Sequence, residues 1–172
     1  EMAMSIIKTA WEFGIREFDT AQAYGDSEVV LGRALSCLGI SNQAKIITKF
    51  DPQLDPTKEK SFESALSQSM ERLQVSTLHG LMLHREEWLD LLNNGLGNIL
   101  QGFLLQGKVK YFGISVYSPV KALQALKYDI FDMIQIPANI LDQRFSVAGI
   151  INLASEKGKQ IYIRSVFLQG LL

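Results

Sequence analysis

Along the chain, short apolar runs alternate with longer segments in which apolar residues return every three or four positions. Six of the short runs are rich in Ile, Val, Phe and Tyr and mostly too brief for helices. They are Arg16–Ala21, Lys45–Phe50, Leu78–His84, Val109–Ser115, Met133–Ala138 and Gln160–Val166, and they are predicted to be strands. Their starts recur every ~25–35 residues, the length of a strand, a helix and two loops. The segments between them read as helices. Ser27 to Leu38 places Val30, Leu31, Ala34, Leu35 and Leu38 on one stripe, with Gly39 as a stop signal. Ser61 to Leu73 repeats the spacing with Phe62, Ala65, Leu66, Met70 and Leu73. Leu96 to Gln106 ends at Gly107, Pro119 opens a helix through Leu126, and Val147 to Lys157 ends at Gly158. An amphipathic helix, Met2 to Phe13, stands first, and the sequence stops in apolar residues at Leu171-Leu172. Natural domains rarely begin and end in this way, so these residues are expected to be part of a longer chain.

Strand and helix alternation predicts parallel strands joined by right-handed crossovers. An open doubly wound sheet and a closed eight-stranded barrel both satisfy that periodicity. The polar residues favour the barrel, because a chemically capable residue stands at or near the C-terminal end of every run. These are Asp19, Lys49, His84, Ser115, Gln135, and Arg164 with Ser165. In a barrel those ends share the rim where active sites are built, whereas an open sheet concentrates a ligand at one switch point. Taken singly each residue is ordinary. Lys49 reads as a solvated charge, Asp19 as a turn cap, Tyr24 as a surface aromatic, and His79, at the start of its strand, as structural. Only the conjunction carries information.

Composition alters this picture little. Of the 172 residues, 47% are apolar and 20% charged, and the net charge of −1 points to neither a nucleic acid nor an anionic membrane as partner. No apolar run approaches the ~20 residues that span a bilayer, no signal-peptide pattern opens the sequence, and a cytoplasmic protein is expected. The single cysteine, Cys37, stands beside Leu35 and Leu38 and is expected to be a buried, unreactive thiol. Glycine-rich phosphate loops, zinc-ligand spacings and a nucleophile elbow are all missing, so no metal site is expected. The remaining chemistry is proton transfer by Tyr, Lys, His and Asp.

These residues fall in segments that resemble the aldo-keto reductase family. Phe18-Asp19-Thr20-Ala21-Gln22-Ala23-Tyr24-Gly25, followed by Ser27-Glu28 and Leu31-Gly32, resembles its F-D-T-A-x-x-Y-G signature. Ile47-Thr48-Lys49 is similar to the strand carrying its catalytic lysine, and Leu83-His84-Arg85 to its L-L-H segment. Gly107 to Ser115 resembles the G-K-[VI]-[RK]-x-[IF]-G-[VI]-S run. Gln135 and Asn139 match Q-x-x-x-N, and Arg164-Ser165 with Gly170-Leu171-Leu172 resembles the segment after the seventh strand. One departure is Val116, where many members place an Asn.

The resemblance implies an α/β fold, a (β/α)8 TIM barrel that is incomplete here, with residues 1–172 forming one domain that holds strands two to seven. It implies NADP, or NAD, as cofactor and reduction of an aldehyde or ketone to an alcohol, or the reverse. Asp19, Tyr24, Lys49 and His84 are then the catalytic set, and Asp19, Ser115, Gln135, Arg164, Ser165, Phe167 and Gln169 contact the cofactor. Tyr24 would give the proton, with Lys49 nearby lowering its pKa, Asp19 holding Lys49 charged, and His84 orienting the carbonyl. Apart from a small-molecule carbonyl or alcohol substrate, no partner is implied. The alternative is a regulatory or scaffold barrel with little turnover, as the potassium-channel β-subunits of this family suggest.

Overall fold

The computed structural model describes residues 2–171, with the side chain of Gln169 outside that description. Six strands appear where the apolar runs predict them, trimmed at their ends: β1 (Glu17–Asp19), β2 (Lys45–Lys49), β3 (Leu78–Leu83), β4 (Val109–Ser115), β5 (Met133–Pro137) and β6 (Gln160–Arg164). All pair in parallel, and their order in the sheet is their order in the sequence. A doubly wound sheet would reverse direction part-way across. This sheet instead keeps one direction and curls. Tyr162 on β6 donates its hydroxyl hydrogen to Glu17 Oε2 on β1 at 3.0 Å, so side chains of the first and last strands meet across the concave face. The architecture is a curled parallel half-barrel, an incomplete (β/α) barrel.

Helices α1 (Met2–Glu12), α2 (Ser27–Cys37), α3 (Glu59–Leu73), α4 (Leu96–Leu105), α5 (Pro119–Ala125), α6 (Arg144–Val147) and α7 (Ile150–Glu156) complete the alternation. The main core lies between helices and sheet, where Leu35, Phe62, Leu66, Leu81, Phe112, Ile134 and Ile150 are fully buried. A smaller interior cluster of Ile47, Met82 and Met133 fills the concave side, flanked by Tyr111 and Tyr162.

Local chemistry explains the element ends. Ser118 caps α5 by accepting a hydrogen bond from the Lys121 amide, and Pro119 follows at its first turn. Gly32 lets α2 and α3 approach closely, since a Cβ there would lie 2.4 Å from the Arg72 carbonyl oxygen. The helix predicted from Val147 to Lys157 begins instead at Ile150, and Val147 closes the separate short helix α6. Gly149, at φ +71°, takes the left-handed conformation between α6 and α7, which ends one helix and opens the next. A 3₁₀ segment, Glu86–Asn94, had no predicted counterpart; it buries Trp88, Leu89 and Leu92 under the α4 side of the sheet.

Two other expectations are corrected. Val30 is 41% exposed and lies off the buried stripe of α2, which runs instead through Glu28, Leu31, Ala34 and Leu35. Cys37 is exposed, because it closes the last turn of α2 on the side away from Leu35.

Candidate active site

Asp19 and Lys49 close two adjacent strands, and the parallel register carries both to the same rim. Lys49 is completely buried. Its Nζ donates to both Asp19 oxygens, at 2.6 and 2.7 Å, and to the Thr20 carbonyl at 2.9 Å. An ammonium so far from water requires such partners, since a lone buried cation costs several kcal/mol. Even with the carboxylate in place, burial holds Lys49 below the ordinary lysine pKa.

Tyr24 projects from the loop after β1 and is half-exposed. Its ring stands with the centroid 5.3 Å from Lys49 Nζ and meets the His84 ring edge-on at 5.9 Å. The four residues proposed for catalysis therefore gather in one place. His84 follows β3. Burial first, then the charge of Lys49, keeps its imidazole below the usual histidine range, so it is neutral at pH 7, and its Nδ1 is buried with no hydrogen-bond partner.

The expected effect of Lys49 on Tyr24 is not what this arrangement shows. Burial, then the charges of Asp19 and Tyr117, push the Tyr24 hydroxyl above the ordinary tyrosine value, and Arg164 opposes them. Lys49 has spent its charge on two carboxylate oxygens and a carbonyl, and it faces the ring of Tyr24.

The remaining rim residues form a second arc. Ser115 and Gln135 pair directly in register across β4 and β5 and are 1% and 3% exposed. Among the described residues neither side chain makes a hydrogen bond. Val116 turns the other way, into the apolar core beneath the helices, and takes no part in the site. Arg164 ends β6 with its guanidinium carbon 4.4 Å from the Tyr117 ring centroid. Ser165 and Phe167 lie in the exposed loop beyond, where Ser165 and Leu168 both take left-handed backbone (φ 62° and 47°). The Gln169 side chain lies outside the described residues. Asn139 is a brace: its Nδ2 donates to the Ser165 carbonyl at 3.3 Å, and its Oδ1 accepts from Leu141 and Asp142. His79 sits low on β3 with its ring edge-on to Tyr111 at 5.2 Å, away from this rim.

Two features escaped sequence reasoning. Tyr117 is a member of the rim, held by Glu86, whose carboxylate accepts from the Tyr117 and Ser118 amides at 2.6 and 3.3 Å. Behind the site, Glu28 is 1% exposed and accepts from Thr48 at 2.7 Å and Ser69 at 2.8 Å, with Arg72 ion-paired at 2.9 Å. Gln22 extends this network, donating to Ser69 and accepting from the Asp51 amide. It ties the loop carrying Tyr24 to the strand carrying Lys49. A signal was available: Glu28 precedes Leu31 and Leu35 by three and seven positions, on their face of the helix. Among the described residues no group of three or more His, Cys, Asp or Glu is placed to hold a metal ion.

A curled parallel half-barrel with this rim defines the class, and the comparisons agree. A sequence model of the Aldo/keto reductase family matches residues 1–172, and the chain belongs to that family. It is 28% identical over 180 residues to the aldo-keto reductase str7 of Strobilurus tenacellus, covering 97% of this chain and 51% of that one. It is 30% identical over 128 residues to a putative voltage-gated potassium channel subunit beta of Schizosaccharomyces pombe, covering 69% of this chain and 37% of that one. Among solved structures, the holo form of the aldo-keto reductase AKR11C1 from Bacillus halodurans shares the fold. It superposes with a TM-score of 0.84 at 24% identity over 98% of this chain and 58% of that one. The chain spans less than two thirds of each relative.

Proposed function

We propose that the complete protein is an NAD(P)H-dependent oxidoreductase that interconverts a small aldehyde or ketone and its alcohol, with Tyr24 as the proton donor. The observation that carries this reading is the buried Lys49 ammonium, paired with Asp19 and standing against the ring of Tyr24, with a neutral His84 beside it. A buried ion pair is weak support for stability, and its position at a rim crowded with proton-transfer groups is better explained by chemistry.

The nicotinamide cofactor implied by the family supplies the hydride when bound. The residues present fit such a group. Ser115 and Gln135 are buried and hydrogen-bond-capable, and their side chains make no hydrogen bond among the described residues, which suits an amide ligand that both donates and accepts. Arg164, Asp19, and the loop residues Ser165, Phe167 and Gln169 complete the proposed contact set. NADP is the first choice and NAD the second.

The protein's own residues then do the following. His84, uncharged, presents a ring nitrogen to the carbonyl oxygen and orients it. Tyr24 gives its hydroxyl proton to that oxygen as charge develops there. Lys49 and Asp19 fix the floor beneath the ring of Tyr24, and the Glu28 network holds the Tyr24 loop against β2. Tyr24→Phe in the complete protein should lower kcat by at least about 10²-fold, the low end for a general acid, while dinucleotide affinity changes little. Turnover within threefold of wild type sinks the assignment.

A second reading, a regulatory barrel that holds the cofactor with little turnover, is favoured by the likeness to the putative channel subunit beta. Steady-state rates over a panel of aldehydes separate the two. A regulatory barrel binds dinucleotide yet turns over none of the panel.

A further inference from the structure

Among the described residues Arg164 makes no ion pair. Tyr162, two residues earlier on the same face of β6, packs against the interior cluster of Met82 and Met133, so Arg164 faces the concave side at the C-terminal rim. One face of its guanidinium is covered by Tyr117 at 4.4 Å. Nε and Nη2 are buried and make no hydrogen bond among the described residues. Asp19 gives no relief, because both its oxygens are held by Lys49. The charge of Arg164 nevertheless reaches Tyr24, Lys49 and His84. Lys49 and Asp19 cancel, and His84 and Tyr24 are neutral, so among these five side chains Arg164 is the one left with an uncompensated charge.

The geometry of the unmet donors names the ligand. Nε and Nη2 form the flat edge of the guanidinium that grips two oxygens of one planar group. The same protein shows that grip elsewhere: Arg144 uses these two atoms to hold the two Asp142 oxygens at 2.8 and 2.9 Å. We propose that Arg164 anchors a carboxylate carried by the carbonyl substrate, so that the preferred substrates are oxo acids rather than neutral aldehydes or ketones. This rests on the reductase reading for the carbonyl half of the substrate, and on the structure of β6 alone for the anionic half. Tyr117 supports the anchor by fixing the guanidinium plane, and Glu86 supports Tyr117 through two backbone amides.

Two measurements on the complete protein test this. The first compares kcat/KM for 4-oxobutanoate and its methyl ester, in which one methyl group replaces the negative charge. Wild type should favour the acid by roughly ten- to hundredfold, the worth of a charged hydrogen-bonded contact. Arg164→Gln should bring the ratio near one, and Arg164→Lys should restore part of it, whatever either variant does to the overall rate. A ratio unchanged by Arg164→Gln overturns the proposal. The second measures thermal stabilisation by succinate, a dicarboxylate with no aldehyde or ketone group. Succinate should raise the melting temperature of wild type and not of Arg164→Gln. Equal responses, or stabilisation by inorganic phosphate but not by succinate, also overturn it. If neither 4-oxobutanoate nor its ester is turned over but succinate stabilises through Arg164, the anionic site stands and the reductase reading falls.

Discussion

Replacing Asp19 by Asn should destabilise the protein in a strongly pH-dependent way. The Lys49 side chain is 1% exposed, and that of Asp19 is 40% exposed. The Asn keeps the shape and one acceptor but removes the charge that makes a buried ammonium tolerable. Removing one partner of a buried pair costs about 3–5 kcal/mol, and water at the half-open Asp19 side places this case near the lower end, about 3 kcal/mol at pH 7. Lys49 can escape by losing its proton, which sets a ceiling. From an unfolded pKa of ~10.4, deprotonation costs about 4.6 kcal/mol at pH 7 but only about 1.9 kcal/mol at pH 9. Burial already holds the folded-state pKa of Lys49 below the unfolded one, and Asp19→Asn lowers it further. The unfolded chain therefore binds more protons across that interval, and the variant regains stability as pH rises towards 10. Urea unfolding of wild type and Asp19→Asn at pH 7, 8 and 9 measures the gap, which should shrink from about 3 to below about 2 kcal/mol. A gap that is constant with pH, or smaller than about 0.5 kcal/mol at pH 7, would mean that Lys49 does not depend on Asp19.

The same pair predicts opposite movements of the Tyr24 ionisation, read from the basic limb of the pH–rate profile. Asp19→Asn removes a charge that raises it and should move the limb down, whereas Lys49→Met leaves Asp19 unneutralised and should move it up; movement in one direction for both contradicts the geometry. Arg164→Gln should also move the limb up, because Arg164 is the cation that opposes the rise. Glu28→Ala leaves Thr48, Ser69 and Arg72 without their common acceptor and should cost about 2–4 kcal/mol in chemical denaturation. Gly32→Ala drives a methyl into the Arg72 carbonyl of α3 and should cost about 1–3 kcal/mol, measurable as a lower melting temperature.

What the sequence discloses and what it hides follow from range. Strands and helices were legible because period and punctuation are local. Asp19, Tyr24, Lys49 and His84 were legible because each sits in a short segment of family character. The split at Gly149 was missed because a glycine inside an apolar-periodic run looks the same whether φ is negative or positive. Tyr117 was missed because its place depends on Glu86, 31 positions away, and on a 3₁₀ segment whose apolar spacing mimics other elements. The direction of the Tyr24 shift was missed because it is set by which partners occupy Lys49, and a list of residues does not show occupancy. The expected burial of Cys37 follows its sequence neighbours, whereas its exposure follows its helical face.

The monotonic order of the sheet bears on how the chain assembles. Asp19 and Lys49 are 30 residues apart, inside one strand–helix–strand unit, whereas Glu17 and Tyr162 are separated by 145. Closing a loop costs about (3/2)RT ln n, roughly 3 kcal/mol for the first contact and 4.4 kcal/mol for the second, apart from a shared constant. The unit that buries the ammonium can therefore close early, with its carboxylate delivered by the same event, and the curl that brings Arg164 over the rim comes late. Substitutions at Asp19 should slow refolding, while substitutions at Arg164 should leave the refolding rate alone and act on unfolding. The cation that most needs a partner receives it from its nearest strand. Arg164, which makes no ion pair among the described residues, arrives when the rim is already formed.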